Sequence, residues 1–224
     1  MIQTWSNKKI LFPGLWVYRD VVKPELNLVP RLLNLIDNSS GMINWKEATV
    51  GYNENRPKYR DCQDIKIGEI KNPNNPYDYE FNEIWKLAKD AQSGPVEDYC
   101  TAHSVRMDFW EVMNFISYGP GQHFQEHADH GFSYSATVSL VAYPNDDYEG
   151  GELAFPKLGI TVKPQAGDLY IFPSSYIYSH VALPVKSGKK YSIVTMLDYN
   201  DNTHNDEYRA LVDRRLGNDK NKGL

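Results

Sequence analysis

Residues 151–198 read GELAFPKLGITVKPQAGDLYIFPSSYIYSHVALPVKSGKKYSIVTMLD. Short runs rich in Leu, Val, Ile, Tyr and Phe alternate there with Pro, Gly and Ser, and the breakers come too often for helices of ordinary length. The runs predict strands over Gly151 to Phe155, Ile160 to Pro164, Asp168 to Phe172, His180 to Val185 and Lys190 to Asp198. The same texture extends upstream, predicting strands over Arg106 to Tyr118 and Ser133 to Tyr143. Strand after strand with little helix between them is the pattern of an antiparallel sandwich or jelly roll.

Ahead of residue 105 the period changes. Leu26, Val29, Leu32, Leu33 and Ile36 recur three or four residues apart, which predicts a helix over residues 24–37 with Pro30 acceptable only in its first turn. Phe81, Ile84, Trp85, Leu87, Ala88 and Ala91 predict a second helix, expected to end at Ser93-Gly94-Pro95. Between them, the segment from Tyr52 to Tyr79 reads as irregular with one short strand over Asp64 to Ile70. Long loops in compact domains are often lids or binding loops. The expected fold is mainly β with supporting helices: one domain over residues 1–224, with helices and loop (1–104), a jelly-roll core (105–200) and a polar tail (201–224).

Composition narrows the function classes. The 224 residues are 41% apolar and 13% aromatic, enough to bury a substantial core and unlike a disordered chain. With 24 Lys+Arg against 29 Asp+Glu, the net charge of −5 argues against salt-driven nucleic-acid binding and permits a basic peptide as partner. No stretch reaches the roughly 20 apolar residues of a membrane span, and the start lacks a small-residue cleavage site. A cytoplasmic protein is expected, with Cys62 and Cys100, which have no C-x-x-C spacing, as reduced thiols. Nothing in these features specifies an oligomeric state.

His127-Ala128-Asp129 follows a Gly-containing turn, and in an extended chain the period of two would point both side chains to one side. Alone the signal is weak, since chance gives about half an H-x-D in a chain of this composition. His204-Asn205-Asp206 is a second instance; it lies in the polar tail with no histidine after it and is assigned to the surface. His180 opens a β-type run downstream of the first pair and completes a set of two histidines and one carboxylate, the facial triad of non-haem Fe(II) oxygenases. Pro120, Gly121 and Gly131 bracket His123, His127 and His130 too closely for a zinc-binding helix. His103, His123 and His130 read as ordinary polar residues, the last two at the rim of the site. Lys190 is either an exposed lysine of the turn Ser187-Gly188-Lys189-Lys190 or, facing inward, a cation that requires an anion. The triad upstream favours the second.

Tyr118, Gly121, Phe124, His127 and Asp129 stand as Y-x-x-G-x-x-F-x-x-H-x-D, followed by Gly150-Gly151-Glu152-Leu153-Ala154-Phe155-Pro156, Gly167-Asp168-Leu169-Tyr170-Ile171-Phe172 and His180 with Gly188 and Lys190. In that order and spacing, over roughly residues 105 to 200, these elements resemble the 2-oxoglutarate- and Fe(II)-dependent dioxygenases, and within them the prolyl 4-hydroxylase branch. The resemblance implies a double-stranded β-helix, with His127, Asp129 and His180 as iron ligands and Lys190 pairing the distal carboxylate of 2-oxoglutarate. It implies further co-substrate contacts from Tyr118, Ser139 and Tyr143, and ascorbate as reductant. The implied reaction uses dioxygen to hydroxylate a C–H bond, first of all of a prolyl residue in a peptide or protein, while 2-oxoglutarate becomes succinate and CO2. The Tyr52 to Tyr79 loop, with Tyr52, Arg56, Lys58, Tyr59 and Arg60, is the expected substrate cover. Tyr191 departs from the family, where a tryptophan is common after the lysine. The expectation is a stand-alone catalytic domain. Three alternatives stay open: a hydroxylase of a non-peptide substrate, an inactive jelly-roll binding module, and a cupin-type metal-dependent isomerase or hydrolase.

Overall fold

The computed structural model describes residues 5–50, 54–131 and 135–204. Its strands, numbered in chain order, form two main sheets. The larger runs β1 (Lys8–Phe12), β2 (Leu15–Val22), β13 (Gly167–Pro173), β9 (Val138–Ala142), β16 (Lys190–Asp198), β7 (Met113–Tyr118), β5 (Gln63–Ile67), β3 (Lys46–Glu47), with β6 (Phe109–Trp110) on the far end of β16. The smaller runs β12 (Ile160–Val162), β11 (Leu153–Phe155), β14 (His180–Ala182), β8 (His123–His127), β4 (Arg60–Asp61). A ribbon of β10 (Glu149–Gly150) and β15 (Val185–Ser187) closes one corner. Among the described residues every pairing is antiparallel.

The alternation of side chains explains the layers. On β13, Leu169 and Ile171 join Leu140, Ala142 and Ile193 in a core shared with Leu32 and Leu35 of α1 (Leu28–Asn38) and Phe81, Ile84 and Ala88 of α2 (Pro76–His103). The opposite set, Tyr170 and Phe172, packs with Val141 of β9 and Tyr143 just after it against Leu153 and Phe155 of the smaller sheet. The central strands are covered on both faces, so their sequences read as continuous apolar runs rather than as alternation. This is the expected mainly β jelly roll with helices outside it.

The N-terminal part holds the expected helices and adds two strands absent from the sequence reading, β1 and β2, which extend the larger sheet along β13. β2 is buried on both faces at Leu15–Tyr18, so the period of two that marks a half-exposed strand is absent from it. The second helix also departs. It starts at Pro76, where the Asn75 side chain accepts from the Asp78 amide at 3.0 Å, and runs through Ser93-Gly94-Pro95 to His103. An internal proline removes one backbone hydrogen bond, at about 3 kcal/mol. Residues beyond it offset that cost: Val96 and Tyr99 are buried, Tyr99 Oη donates to the Gly14 carbonyl at 2.8 Å, and Asp98 accepts from Tyr18 Oη at 2.8 Å and from Lys8 Nζ at 2.6 Å. Gly94 leaves room for Trp5, whose ring would lie 3.0 Å from a Cβ there.

Other expected elements appear with shifted ends. The strand of the central loop is β5, residues 106–118 split into β6 and β7, and residues 133–143 yield β9. Tyr52, residues 132–134 and the tail from residue 205 lie outside the described residues. Among the described residues no helix is long and apolar enough to cross a membrane, and Cys62 and Cys100 are free thiols.

Candidate active site

Pairing of β8 with β14 sets His180 directly opposite His127. Their rings lie 4.3 Å apart, and Phe124, three residues earlier and across a register shift in the pairing, stacks on His127 at 3.5 Å. His127 Nδ1 is 2.8 Å from the Gln125 carbonyl and His180 Nδ1 is 3.3 Å from the Tyr178 carbonyl. A carbonyl can only accept, so Nδ1 carries the proton on each ring and Nε2 keeps a free lone pair. Both Nε2 atoms face Asp129, at 3.7 Å from Oδ1 for His127 and 3.9 Å from Oδ2 for His180. One ligand atom from each of the three residues falls within 4.8 Å of the others. Burial, and then the adjacent His180, push His127 well below the ordinary imidazole range, which favours the neutral form that a metal needs.

Asp129 is held from behind. Its Oδ2 accepts from Ser139 Oγ at 2.5 Å, and Ser139 in turn lies 2.8 Å from Ser174 Oγ. Ser139 was expected to touch the co-substrate; in this structure its fully buried hydroxyl donates to the Asp129 carboxylate. It shares the inward face of β9 with Val141 and Tyr143 but stands at the end of the strand beside Asp129. Ser174 had no signal in the sequence.

The three residues open onto a cavity of about 380 Å³, a size suited to a small ligand. Alternate residues of two neighbouring strands wall it: Asn114, Ile116 and Tyr118 from β7, and Lys190, Ser192, Val194 and Met196 from β16. Lys190 pairs with Tyr118 across the strands, is 1% exposed, and donates to the Gly151 carbonyl at 2.8 Å. Its Nζ lies 5.1 Å from the Tyr118 ring centroid and 5.3 Å from that of Tyr143. Burial above all, with Lys163 as the next cause, pushes its pKa down to about 7. Among the described residues Lys190 forms no salt bridge, so it is a buried cation facing a cavity without a counterion. Burial raises the Tyr118 and Tyr143 hydroxyls well above their ordinary range, leaving both as donors. Gly151 makes this approach possible: at φ +63° a Cβ would sit 3.0 Å from Lys190 Cδ.

These residues fit Fe(II) and 2-oxoglutarate. Two bare imidazole nitrogens and a carboxylate converge without a proton between them, and one ammonium with two hydroxyl donors awaits an anion across the same cavity.

Part of the expected cover reaches the site. The Gln125 amide donates to the Tyr59 carbonyl at 2.8 Å, Tyr59 Oη donates to the Glu126 carbonyl at 2.8 Å, and β4 pairs with β8. Arg60 stacks over Phe124 at 4.9 Å, donates to the Thr49 carbonyl at 2.7 Å, and keeps its buried Nε without a partner. Tyr59, Arg60, Thr49 and Val50 line the cavity, whereas Arg56 pairs with Glu54 and Lys58 does not line it. Thr49 and Val50 carried no recognisable motif.

The remaining histidines do not line the cavity. His103 packs on Tyr99 at 4.2 Å, His123 lies near the Gly121 and Lys58 carbonyls, and His130 Nδ1 is 2.8 Å from the Ala136 carbonyl. His204 corrects the surface assignment: its side chain is 4% exposed, with Nδ1 2.8 Å from Glu111, Nε2 3.2 Å from Asp198, and its ring stacked on Phe109 at 4.2 Å. Two carboxylates and an aromatic face outweigh the polarity of the surrounding tail. Asn205 and Asp206 lie outside the described residues.

Comparison with known proteins agrees with this geometry. Residues 113–198 match the model of the 2OG-Fe(II) oxygenase superfamily. A protein of Acanthamoeba polyphaga mimivirus named "Putative prolyl 4-hydroxylase" is 26% identical over 130 residues, covering 49% of this chain and 54% of that protein. The match thus spans about half the length of that curated relative. A Trichoplax adhaerens prolyl hydroxylase, solved with a hypoxia inducible factor oxygen degradation domain peptide fragment, has a TM-score of 0.67 at 18% identity, covering 88% of this chain and 86% of that one. A Pseudomonas putida prolyl-4-hydroxylase has a TM-score of 0.61 at 20% identity, covering 82% of this chain and 92% of that one. At those identities the structural likeness concerns the fold. The segment that matches the 2OG-Fe(II) oxygenase superfamily model carries His127, Asp129, His180 and Lys190, and the chain shares the fold of the two prolyl hydroxylase structures.

Proposed function

We propose that this protein is an Fe(II)- and 2-oxoglutarate-dependent dioxygenase that hydroxylates a prolyl residue of a peptide or protein. The observation that carries the reading is Lys190, a buried cation without a counterion, facing His127, Asp129 and His180 across one cavity. When bound, the iron and co-substrate supply the oxidation: dioxygen places one atom on the C–H carbon and the other in succinate as 2-oxoglutarate loses CO2. The protein's share is positional. His127, Asp129 and His180 hold the metal on one face, and the Gln125 and Tyr178 carbonyls and Ser139 Oγ keep those three side chains in register. Lys190, with Tyr118 and Tyr143 as donors, holds the distal carboxylate of the co-substrate. Tyr59 and Arg60 wall the mouth and limit water.

The prolyl assignment is supported by the names of the relatives above, which are prolyl hydroxylases. Ascorbate is the expected reductant for iron oxidised in turnover without substrate. A reducing compartment such as the cytoplasm suits ferrous iron and the two free thiols.

Anaerobic titration with Fe(II) and 2-oxoglutarate tests the core of the reading. A metal-to-ligand charge-transfer band should form with the wild type and be absent from His127→Ala; no band with the wild type refutes it. Succinate release against proline-containing peptides, free amino acids and nucleic acids, with mass detection of the added oxygen, tests the substrate. Response from non-peptide members alone would overturn the prolyl assignment.

A further inference from the structure

Cys62 lies between β4 and β5, with a free thiol that is 4% exposed. The register of the larger sheet fixes its neighbours. Gln63 stands opposite Ser117, which brings Cys62, one residue back, level with Tyr118, and Tyr118 stands opposite Lys190 on the other neighbouring strand. Residues level across neighbouring strands share a face, so Cys62, Tyr118 and Lys190 form one row on the cavity side of the sheet. Packing agrees, since Cys62 shares a buried cluster with Tyr118, Ile116, Val185 and Ala48.

Tyr118 is 4% exposed and lines the catalytic cavity, yet among the described residues no nitrogen or oxygen atom of the protein bonds its hydroxyl. Its polar neighbour is the Cys62 sulfur, which also meets the Arg60 guanidinium. Burial above all pushes the Cys62 thiol up, so the sulfur keeps its proton near neutral pH. A guanidinium can only donate, so the sulfur lone pairs serve Arg60 and the S–H is left for Tyr118 Oη. With its oxygen occupied from that side, Tyr118 keeps its own hydrogen for the cavity, where the Lys190 ammonium lies 5.1 Å from the same ring.

We propose that Cys62 is a positioning residue for co-substrate binding: its thiol donates to Tyr118 Oη and thereby aims the Tyr118 hydroxyl at the distal carboxylate held by Lys190. The inference rests on the oxygenase reading of the site and adds to it a residue that acts through Tyr118. A relay of donors from Arg60 through Cys62 and Tyr118 to a carboxylate is cooperative, since each link polarises the next. Loss of the thiol leaves the Tyr118 oxygen without a donor once the co-substrate excludes water, so the cost falls on the bound state.

The test compares the wild type with Cys62→Val, Cys62→Ala and Cys62→Ser as full chains. Anaerobic titration of the Fe(II)-loaded proteins, followed by the metal-to-ligand charge-transfer band, gives Kd for 2-oxoglutarate and for 2-oxopentanoate, which has the same carbon chain without the distal carboxylate. One hydrogen bond predicts about fivefold weaker 2-oxoglutarate binding by Cys62→Val and Cys62→Ala. Cys62→Ser keeps a donor and should stay within about twofold of the wild type. Binding of 2-oxopentanoate and calorimetric Mn(II) affinity should be the same in every variant, a pattern that a general disturbance of packing would not produce. Unaltered 2-oxoglutarate binding by Cys62→Val and Cys62→Ala, failure of serine to restore it, or equal weakening of the two oxo acids overturns the inference. A wild type without a charge-transfer band overturns the oxygenase reading and this inference with it, whereas a normal wild-type band beside unaltered variants overturns this inference alone.

Discussion

Replacing Lys190 with methionine should raise the stability of the ligand-free protein and abolish its co-substrate affinity. The ammonium is buried without a counterion, and burial moves its pKa from the ordinary 10.5 to about 7. A shift of that size corresponds to a penalty on the order of 4 kcal/mol on the folded state near neutral pH. Methionine removes that penalty and loses the hydrogen bond to the Gly151 carbonyl, which costs about 1–3 kcal/mol. The net gain of about 2 kcal/mol should raise Tm by roughly 4–8 °C in a domain of this size. The sign with pH follows from the depressed value: the penalty is full below about pH 7 and fades as pH rises toward 10.5, where the unfolded lysine also loses its proton. The advantage of Lys190→Met should accordingly be largest near pH 6 and shrink toward pH 10. Calorimetry across that range reads it. In the same instrument, anaerobic Fe(II) with 2-oxoglutarate at about a hundred times Kd should stabilise the wild type by about 2.7 kcal/mol. The variant should show no shift beyond that produced by Fe(II) alone, since breaking a buried charge pair costs about 3–5 kcal/mol, or more than a hundredfold in 2-oxoglutarate affinity. A variant less stable than the wild type at pH 6, or an unchanged shift with 2-oxoglutarate, would refute the reasoning.

Other perturbations separate the parts of the site. Ser139→Ala, which strips Asp129 of its hydroxyl donor, should lower metal affinity by about 10- to 100-fold with the fold retained, as read by calorimetric titration with Mn(II). Gly151→Ala places a Cβ 3.0 Å from Lys190 Cδ on a left-handed residue; the KM for 2-oxoglutarate should rise several-fold and Tm should fall. His204→Ala removes a buried ring between Glu111 and Asp198 and should cost about 1–3 kcal/mol of stability in urea titration without altering 2-oxoglutarate affinity.

Legibility in the sequence tracked how local each determinant is. β16 was readable because Lys190 to Asp198 is an uninterrupted β-type run between a glycine turn and a polar tail. β2 was not, since burial on both faces erases alternation and the strand takes its identity from pairing with β13. Ser93-Gly94-Pro95 is a sound local stop, overridden by Tyr99, Asp98 and Val96 finding partners more than 75 residues away or in the core. His204 looked like its polar neighbours, but it meets Glu111, Asp198 and the Phe109 ring, which no local signal announces.

The sequence by itself determined the chemistry available: residue types and spacings at Tyr118, His127, Asp129, His180 and Lys190 that suit a ferrous centre with an anionic co-substrate. It determined the mainly β class as well, because strand-forming runs and breakers act over a few residues. Tertiary structure alone decided that His127 and His180 stand opposite each other, that Ser139 donates to the Asp129 carboxylate, and that Arg60 stacks on Phe124 at the cavity wall. Those facts depend on strand register between distant segments, and a one-residue slip would turn each side chain to the other face of its sheet.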